Sequence, residues 1–95
     1  MIEHITPAGG NIFADIGFPP EEAANLKLRS DLMIAIETII QDNKLKQTEA
    51  AKLFGVSQPR ISDIKRGKID EFTIDSLINM LAHAGIRVDV TLRPA

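Results

Sequence analysis

The fold is decided by one stretch of the chain, from Gln47 to Arg66, which reads QTEAAKLFGVSQPRISDIKR. Two packed helices that meet at an angle need a small residue where their axes cross and a residue that lets the chain bend between them. Ala51 supplies the first and Gly55 supplies the second. Apolar side chains that can lock the angle follow at Val56, Ile61 and Ile64. The stretch therefore predicts two short helices joined by a tight turn, a helix-turn-helix.

The second of these helices carries side chains suited to DNA bases. Ser57 can cap it, and Pro59 falls in its first turn, where proline is tolerated. With the two isoleucines on the core, the outward residues near its N-terminal end hold the position that a recognition helix presents to base edges. Glutamine can bond adenine, arginine guanine, and aspartate can accept from cytosine. The predicted base-contacting residues are Ser57, Gln58, Pro59, Arg60, Ser62 and Asp63.

The charges are unevenly distributed along the chain. The formal net charge is −2, yet residues 44–68 contain seven basic and two acidic side chains, a local charge of +5, so the remainder carries −7. A basic segment between acidic flanks is typical of a phosphate-binding surface, although similar segments are often solvated helix faces. The predicted phosphate contacts are Lys44, Lys46, Gln47, Thr48, Lys65, Arg66 and Lys68.

The segment before this motif predicts an arm followed by a long helix. Residues 1–18 contain three glycines and no basic side chain, which indicates an irregular or extended arm. Four large apolar residues in this arm, Ile12, Phe13, Ile16 and Phe18, indicate that part of it docks on the domain or on a partner. A helix should begin near Pro19 and Pro20 and end at Asn43, which can adopt the left-handed conformation.

The segment after the motif predicts one more helix. Thr73 is placed to cap it, and Gly85 supplies a left-handed end. The expected fold is therefore all-α: a compact bundle of four to five helices, with the DNA-binding domain at residues 19–86.

The last residues, 87–95, predict a dimerisation strand. The sequence from Arg87 to Leu92 alternates with a period of two, which places Val88, Val90 and Leu92 on one side. A lone strand leaves backbone groups unpaired, so it needs a partner. The prediction is the same strand of a second copy, in a two-fold dimer that fits a palindromic DNA site; the alternative partner is Ile12 to Ile16 of the same chain.

The sequence resembles the helix-turn-helix regulators of the Xre type and, within them, the HigA-like antitoxins. The resemblance spans roughly residues 11–94. Its marks are FADIGF at 13–18, LRSDL at 28–32, the stretch 47–68, FTIDSL at 72–77 and the ending VDVTLRP at 88–94. It implies a homodimer that binds a palindromic operator, represses its own operon and holds a small ribonuclease-like toxin inactive.

One residue departs from that pattern. Relatives usually have Thr or Ser at the position of Lys46, where the hydroxyl caps the first helix and Glu49 reaches back in a capping box. Lysine cannot accept that hydrogen bond. A weaker helix start is expected, with Lys46 offering a charge to phosphate instead.

Other classes of function find little support in the residues. There is no cysteine, and neither His4 nor His83 has neighbours at metal-ligand spacing, so no metal and no cofactor are expected. The serines lack a neighbouring base, which argues against an enzyme. No apolar run approaches the roughly 18 residues of a membrane span, and a cytoplasmic location is expected.

Two further interpretations stay open at this point. The chain could be a free-standing, phage-repressor-like regulator without a toxin, or a protein-interaction module that no longer binds DNA. A toxin reading frame in the neighbouring gene would distinguish the antitoxin from both. A gel-shift with the upstream DNA would identify the interaction module.

Overall fold

Five α-helices and one short 3-10 helix lie within residues 10–94, the part of the chain that the computed structural model describes. The helices are α1 (Ile12–Asp15), α2 (Pro20–Asp42), α3 (Gln47–Phe54), α4 (Gln58–Lys65) and α5 (Ile74–His83), with the 3-10 helix at Ile69–Glu71 between α4 and α5. The predicted all-α bundle and its helix-turn-helix are confirmed. Residues 1–9, including His4, and Ala95 lie outside the described range.

The core lies where α2 crosses the other helices. α2 contributes one face of aliphatic side chains, and α3, α4 and α5 each turn a short apolar face towards it. The side chains most deeply enclosed are Phe54, Phe72, Ile36, Ile61, Ile64, Leu77 and Leu81. Each such burial is worth about 1.5–3 kcal/mol relative to exposure. The predicted core positions Ile61 and Ile64 on α4 are confirmed, so the outward face of that helix is fixed.

The N-terminal arm folds back on α2. Residues 12–15 form a helical turn, so the prediction of an irregular or extended arm is wrong for this part. Asn11 explains the turn: its side-chain oxygen accepts from the backbone N–H of Phe13 at 3.0 Å, and its amide nitrogen donates to the carbonyl of Ala23 at 2.9 Å. The Phe13 and Phe18 rings meet edge-to-face, with centroids 6.1 Å apart. Residues 11–18 of the arm thus contact their own domain, one of the two alternatives left open, although Ile12 and Ile16 remain 63% and 67% exposed.

The C-terminal residues do not form the predicted strand. No strand occurs in residues 10–94, and residues 86–94 have no regular secondary structure. A strand exists only when paired, and the one intrachain candidate, Ile12 to Ile16, is mostly helical. Val88 packs against the core, whereas Val90 and Leu92 are 65% and 90% exposed.

The ends of α5 agree with the predictions from the sequence, and the end of α2 differs from them. Thr73 caps α5, since its Oγ1 accepts from the N–H of Ser76 at 3.1 Å, and Gly85 is left-handed with a φ of +81°, as predicted. At the end of α2 the prediction is wrong by one residue. Asn43 has a φ of −96°, and Lys44, at +51°, takes the left-handed conformation instead. The side chain of Asn43 meanwhile donates to the carbonyl of Ile39 at 2.8 Å, which satisfies the helix end locally.

Candidate nucleic-acid interface

The turn between α3 and α4 is built around Gly55. Its φ is +68°, and its backbone N–H bonds the carbonyl of Ala51. A Cβ added to Gly55 would lie 2.7 Å from Cδ2 of His83, so the exposed ring of His83 would have to move. The left-handed backbone angle therefore favours glycine here, and any side chain would in addition displace His83.

His83 holds this turn from the end of α5. Its Nδ1 lies 2.9 Å from the carbonyl oxygen of Leu53, one of the last carbonyls of α3. That contact requires the proton on Nδ1, so the ring donates to a carbonyl that has no partner within its own helix. His83 therefore ties the end of α5 to the end of α3 through a side-chain hydrogen bond.

Gln47 fixes α3 to α4 at the opposite end of the motif. Its Nε2 donates to the backbone carbonyl of Gln58 at 2.9 Å and also to Oγ of Ser62. Both amide hydrogens are thereby used within the protein. The backbone N–H of Gln47 lies in the unpaired first turn of α3 and can therefore make the predicted phosphate contact. The side-chain nitrogen cannot, because both of its hydrogens are already used.

The start of α3 lacks one half of a capping box. The backbone N–H of Lys46 donates to Oε1 of Glu49 at 2.7 Å, so the glutamate does reach back. The reciprocal bond is missing because a lysine side chain has no acceptor. The Lys46 ammonium and the Thr48 hydroxyl are exposed beside the N-terminal end of α3. Helix N-termini favour anions, so this end suits a phosphate.

The predicted base-contacting residues have different surroundings. Gln58 is exposed, and its side chain makes no hydrogen bond to any of residues 10–94. Ser57 and Pro59 are exposed beside it, and Pro59 lies in the first turn as predicted. The predicted side-chain cap of Ser57 is wrong, since its hydroxyl makes no capping bond. Ser62 is half-buried and accepts from Gln47.

Arg60 is held against the protein itself. Its guanidinium carbon lies 4.0 Å from the centroid of the Phe72 ring, and its Nη1 donates to the carbonyl of Glu71 at 2.7 Å. A cation over an aromatic face contributes about 0.5–1 kcal/mol at a partly exposed site. The contact joins α4 to the segment before α5, so the structure does not bring Arg60 together with Gln58 at the exposed tip.

Asp63 faces the far end of α4 and partly neutralises it. Its Oδ1 lies 3.5 Å from Nη2 of Arg66 and 3.9 Å from Nζ of Lys68. Both cations stay largely exposed, so these pairs are weak, and a phosphate can compete for the cations. Lys44 and Lys65 are exposed as well. The predicted phosphate contacts thus form one group before and at the start of α3 and another at the end of α4.

The sequence from residue 12 to residue 93 matches the family model described as a helix-turn-helix domain. The chain belongs to this helix-turn-helix family. A solved structure that bears the name of an XRE family transcriptional regulator superposes with a TM-score of 0.70 at 24% sequence identity, over 78% of this chain and 83% of that chain. At that identity the likeness concerns the fold. Among curated proteins, none matches the chain.

The sequence did not predict some of the residues that stabilise this helix-turn-helix. Nη1 of Arg29, on α2, donates to the carbonyls of Ile69 and Phe72 at 3.1 and 3.3 Å, which fixes the loop that carries the ring under Arg60. His83 and Phe72 act over 28 and 12 residues of sequence from Gly55 and Arg60, and no local pattern reports such contacts.

Residues 10–94 contain no group of three or more His, Cys, Asp or Glu side chains that could hold a metal ion. Over the same range, every helix is too short or too polar to cross a bilayer.

Proposed function

We propose that the protein is a DNA-binding transcriptional regulator that places α4 in the major groove. The observation that carries the proposal is the exposed N-terminal end of α4. There the side chain of Gln58 makes no hydrogen bond to residues 10–94, while Gln47, Gly55 and the buried Ile61 and Ile64 hold the helix in a fixed orientation. A recognition helix needs this combination, because a side chain reads bases well only when its helix is already positioned.

Within this proposal, Gln58 makes the main base contact. Its amide can both donate to and accept from adenine, and it costs the protein no internal hydrogen bond to do so. Ser57, Pro59, Ser62 and Asp63 line the same face and shape the contact. Arg60 reaches a guanine only by leaving the Phe72 ring, so its first role is to position α4.

Phosphate contacts then surround the base contacts. Lys44, Lys46, Thr48 and the first backbone N–H groups of α3 lie on one side, and Lys65, Arg66 and Lys68 lie on the other. Such contacts orient the protein on the duplex and carry no sequence information. The proposed function consists of DNA binding and needs no catalytic step. The proposed location of the protein is the cytoplasm, together with the DNA.

The test compares Gln58→Ala with Gln41→Ala, an exposed glutamine on α2. Both variants are titrated against a fragment of the upstream region of the gene and against random DNA of equal length. Loss of one bidentate contact removes about 1–3 kcal/mol of discrimination, so Gln58→Ala should lose roughly 5- to 150-fold of its preference per half-site. Gln41→Ala should retain it. Equal preference in the two variants would contradict the assignment of α4 as the reading helix.

The finer function that we propose is that of an antitoxin. The support is the resemblance of residues 11–94 to HigA-like antitoxins, which implies a homodimer that represses its own operon and neutralises a ribonuclease-type toxin. Co-expression with each neighbouring gene, followed by purification through a tag on this chain, tests it. Recovery of a stoichiometric complex of this chain with a neighbouring gene product would support the antitoxin function. Recovery of this chain alone would contradict it and favour a free-standing regulator.

A two-fold dimer is part of the same proposal. Two recognition helices about 34–36 Å apart would meet a palindrome one turn of DNA long. The residues proposed for the interface are Val88, Val90 and Leu92, of which the last two are exposed in the single chain. The stoichiometry of the protein in solution, measured by sedimentation, tests this element independently of DNA.

A further inference from the structure

The segment from Ile69 to Phe72 is held by two arginines that come from different helices. Arg60, on α4, donates through Nη1 to the carbonyl of Glu71 at 2.7 Å. Arg29, on α2, donates through Nη1 to the carbonyls of Ile69 and Phe72 at 3.1 and 3.3 Å. Three of the four carbonyls in this segment therefore accept from a guanidinium. Carbonyls at the end of a helix lack partners within it, so donors from other elements satisfy them.

The ring of Phe72 gives Arg60 a second contact. The guanidinium carbon lies 4.0 Å from the ring centroid, and Phe72 is only 2% exposed. If the guanidinium left, the aromatic face beneath it would be open to water. Departure would therefore cost the cation–π contact, the hydrogen bond to Glu71 and the shielding of the ring. These contacts commit the Arg60 side chain to the protein when no DNA is bound.

Arg60 is nevertheless well placed along α4 to read a base. It is the third residue of the helix, two residues after the proposed reader Gln58. The first residues of a recognition helix are those that face base edges. Arginine on guanine, through two hydrogen bonds, is the commonest specific contact between a side chain and a base. The contact of Arg60 with Phe72 thus competes with a guanine contact.

We propose that Phe72 is a specificity-determining residue that withholds Arg60 from the DNA. The protein then discriminates little among bases at the position opposite Arg60, and Gln58 supplies the discrimination beside it. Arg29 acts as a positioning residue, because its bonds to the carbonyls of Ile69 and Phe72 keep the ring in place. This inference rests on the function proposed above, in which α4 enters the major groove.

Base selection from a random pool tests the proposal without knowledge of the operator. A pool of short duplexes with a randomised central region is selected by binding to each variant, and the recovered DNA is sequenced. Gln58→Ala identifies the position that Gln58 reads, because the preference at that position is lost. Circular dichroism of each variant checks that it is folded.

Phe72→Leu keeps an apolar side chain in the core and removes the aromatic face. The proposal predicts a new preference for guanine beside the position that Gln58 reads. Loss of a cation–π contact changes an equilibrium by about two- to fivefold, so guanine should be enriched by roughly that factor. The enrichment should disappear when Phe72→Leu is combined with Arg60→Ala, because it requires the released guanidinium.

Phe54→Leu is the matched control in the core. Phe54 is as fully enclosed as Phe72, at 1% against 2% exposed, and among residues 10–94 no cation lies over its ring. The control loses similar packing but releases no arginine, so it should gain no preference for guanine. An equal gain in Phe54→Leu would show that a loosened core alone changes base selection, and would overturn the proposal.

A second pair of variants leaves the core side chains intact. Arg29→Gln removes the bonds that position the ring, and it should produce the same preference for guanine to a smaller degree. Lys27, on the same helix, forms its ion pair with Asp31 at 3.0 Å, so Lys27→Gln should gain no such preference. This pair decides the question if Phe72→Leu does not fold.

The outcomes separate this inference from the function on which it rests. If Gln58→Ala changes the selected bases but neither Phe72→Leu nor Arg29→Gln adds a guanine, α4 reads the DNA and this inference is wrong. It is also wrong if the unmodified protein already selects guanine beside the position of Gln58 and Arg60→Ala removes that preference. If Gln58→Ala leaves every selected base unchanged, the proposed function fails and this inference fails with it.

Discussion

Replacing Gly55 by alanine tests the reasoning about the turn most sharply. The left-handed backbone at this position, with a φ of +68°, costs any residue with a Cβ about 1–2 kcal/mol. The new methyl would also lie 2.7 Å from the ring of His83. Since His83 is exposed, its ring can swing away, and the cost of the clash is then the lost hydrogen bond to Leu53, about 1 kcal/mol.

Gly55→Ala should therefore lower the free energy of unfolding by about 2–3 kcal/mol. His83→Ala alone should lower it by about 1 kcal/mol, because it removes only the hydrogen bond. The informative variant is the double one. If the methyl acts by displacing the ring, the double variant loses that hydrogen bond only once, and its stability should equal that of Gly55→Ala.

Urea unfolding followed by circular dichroism measures all four proteins of this cycle. Independent effects would make the double variant about 1 kcal/mol less stable than Gly55→Ala. That additive result would refute the contact between the turn and α5. A thermal scan gives a second reading, since a domain of this size loses about 4–8 °C of melting temperature per kcal/mol.

Two further predictions concern the charged side chains of the candidate interface. Arg60→Ala should lower the free energy of unfolding by about 1–2 kcal/mol in the absence of DNA, because it removes both the contact with the Phe72 ring and a backbone hydrogen bond; thermal unfolding measures this, and an unchanged stability would argue that the arginine only reads bases. Lys65→Gln and Lys68→Gln should each make the log-log dependence of DNA affinity on salt shallower by about one unit per phosphate contact. Lys27→Gln, on α2, is the control, and an equal change of slope in all three variants would mean that the basic segment is only a solvated face.

Much of the fold was predictable because its signals are local. The spacing of Ala51 and Gly55, the apolar positions of α4 and the threonine before α5 each reflect a requirement of one helix or one turn. These requirements are met within a few residues of sequence, so a periodicity or a cap is enough to find them. The predicted helix-turn-helix and its buried isoleucines were confirmed for that reason.

The errors came at positions where a local pattern does not determine which partner a group meets. Ser57 was predicted as a cap, but its hydroxyl makes no capping bond. Arg60 was predicted at the exposed tip, but Phe72, twelve residues later, offers it an aromatic face. The strand at residues 87–92 was predicted from an alternating pattern, and that pattern shows which side is apolar without showing whether any edge is available to pair with it.

Gln58 has a consequence for how the protein can change over generations. Its side chain makes no hydrogen bond to residues 10–94, whereas Gln47 and Arg60 on either side of it are bonded into the fold. Under the function proposed above, a substitution at position 58 would alter which bases are read without weakening the contacts that hold the helix. Duplicated copies of such a gene would then acquire separate operators through single substitutions at this site, and would stop cross-regulating one another while their scaffold stays the same.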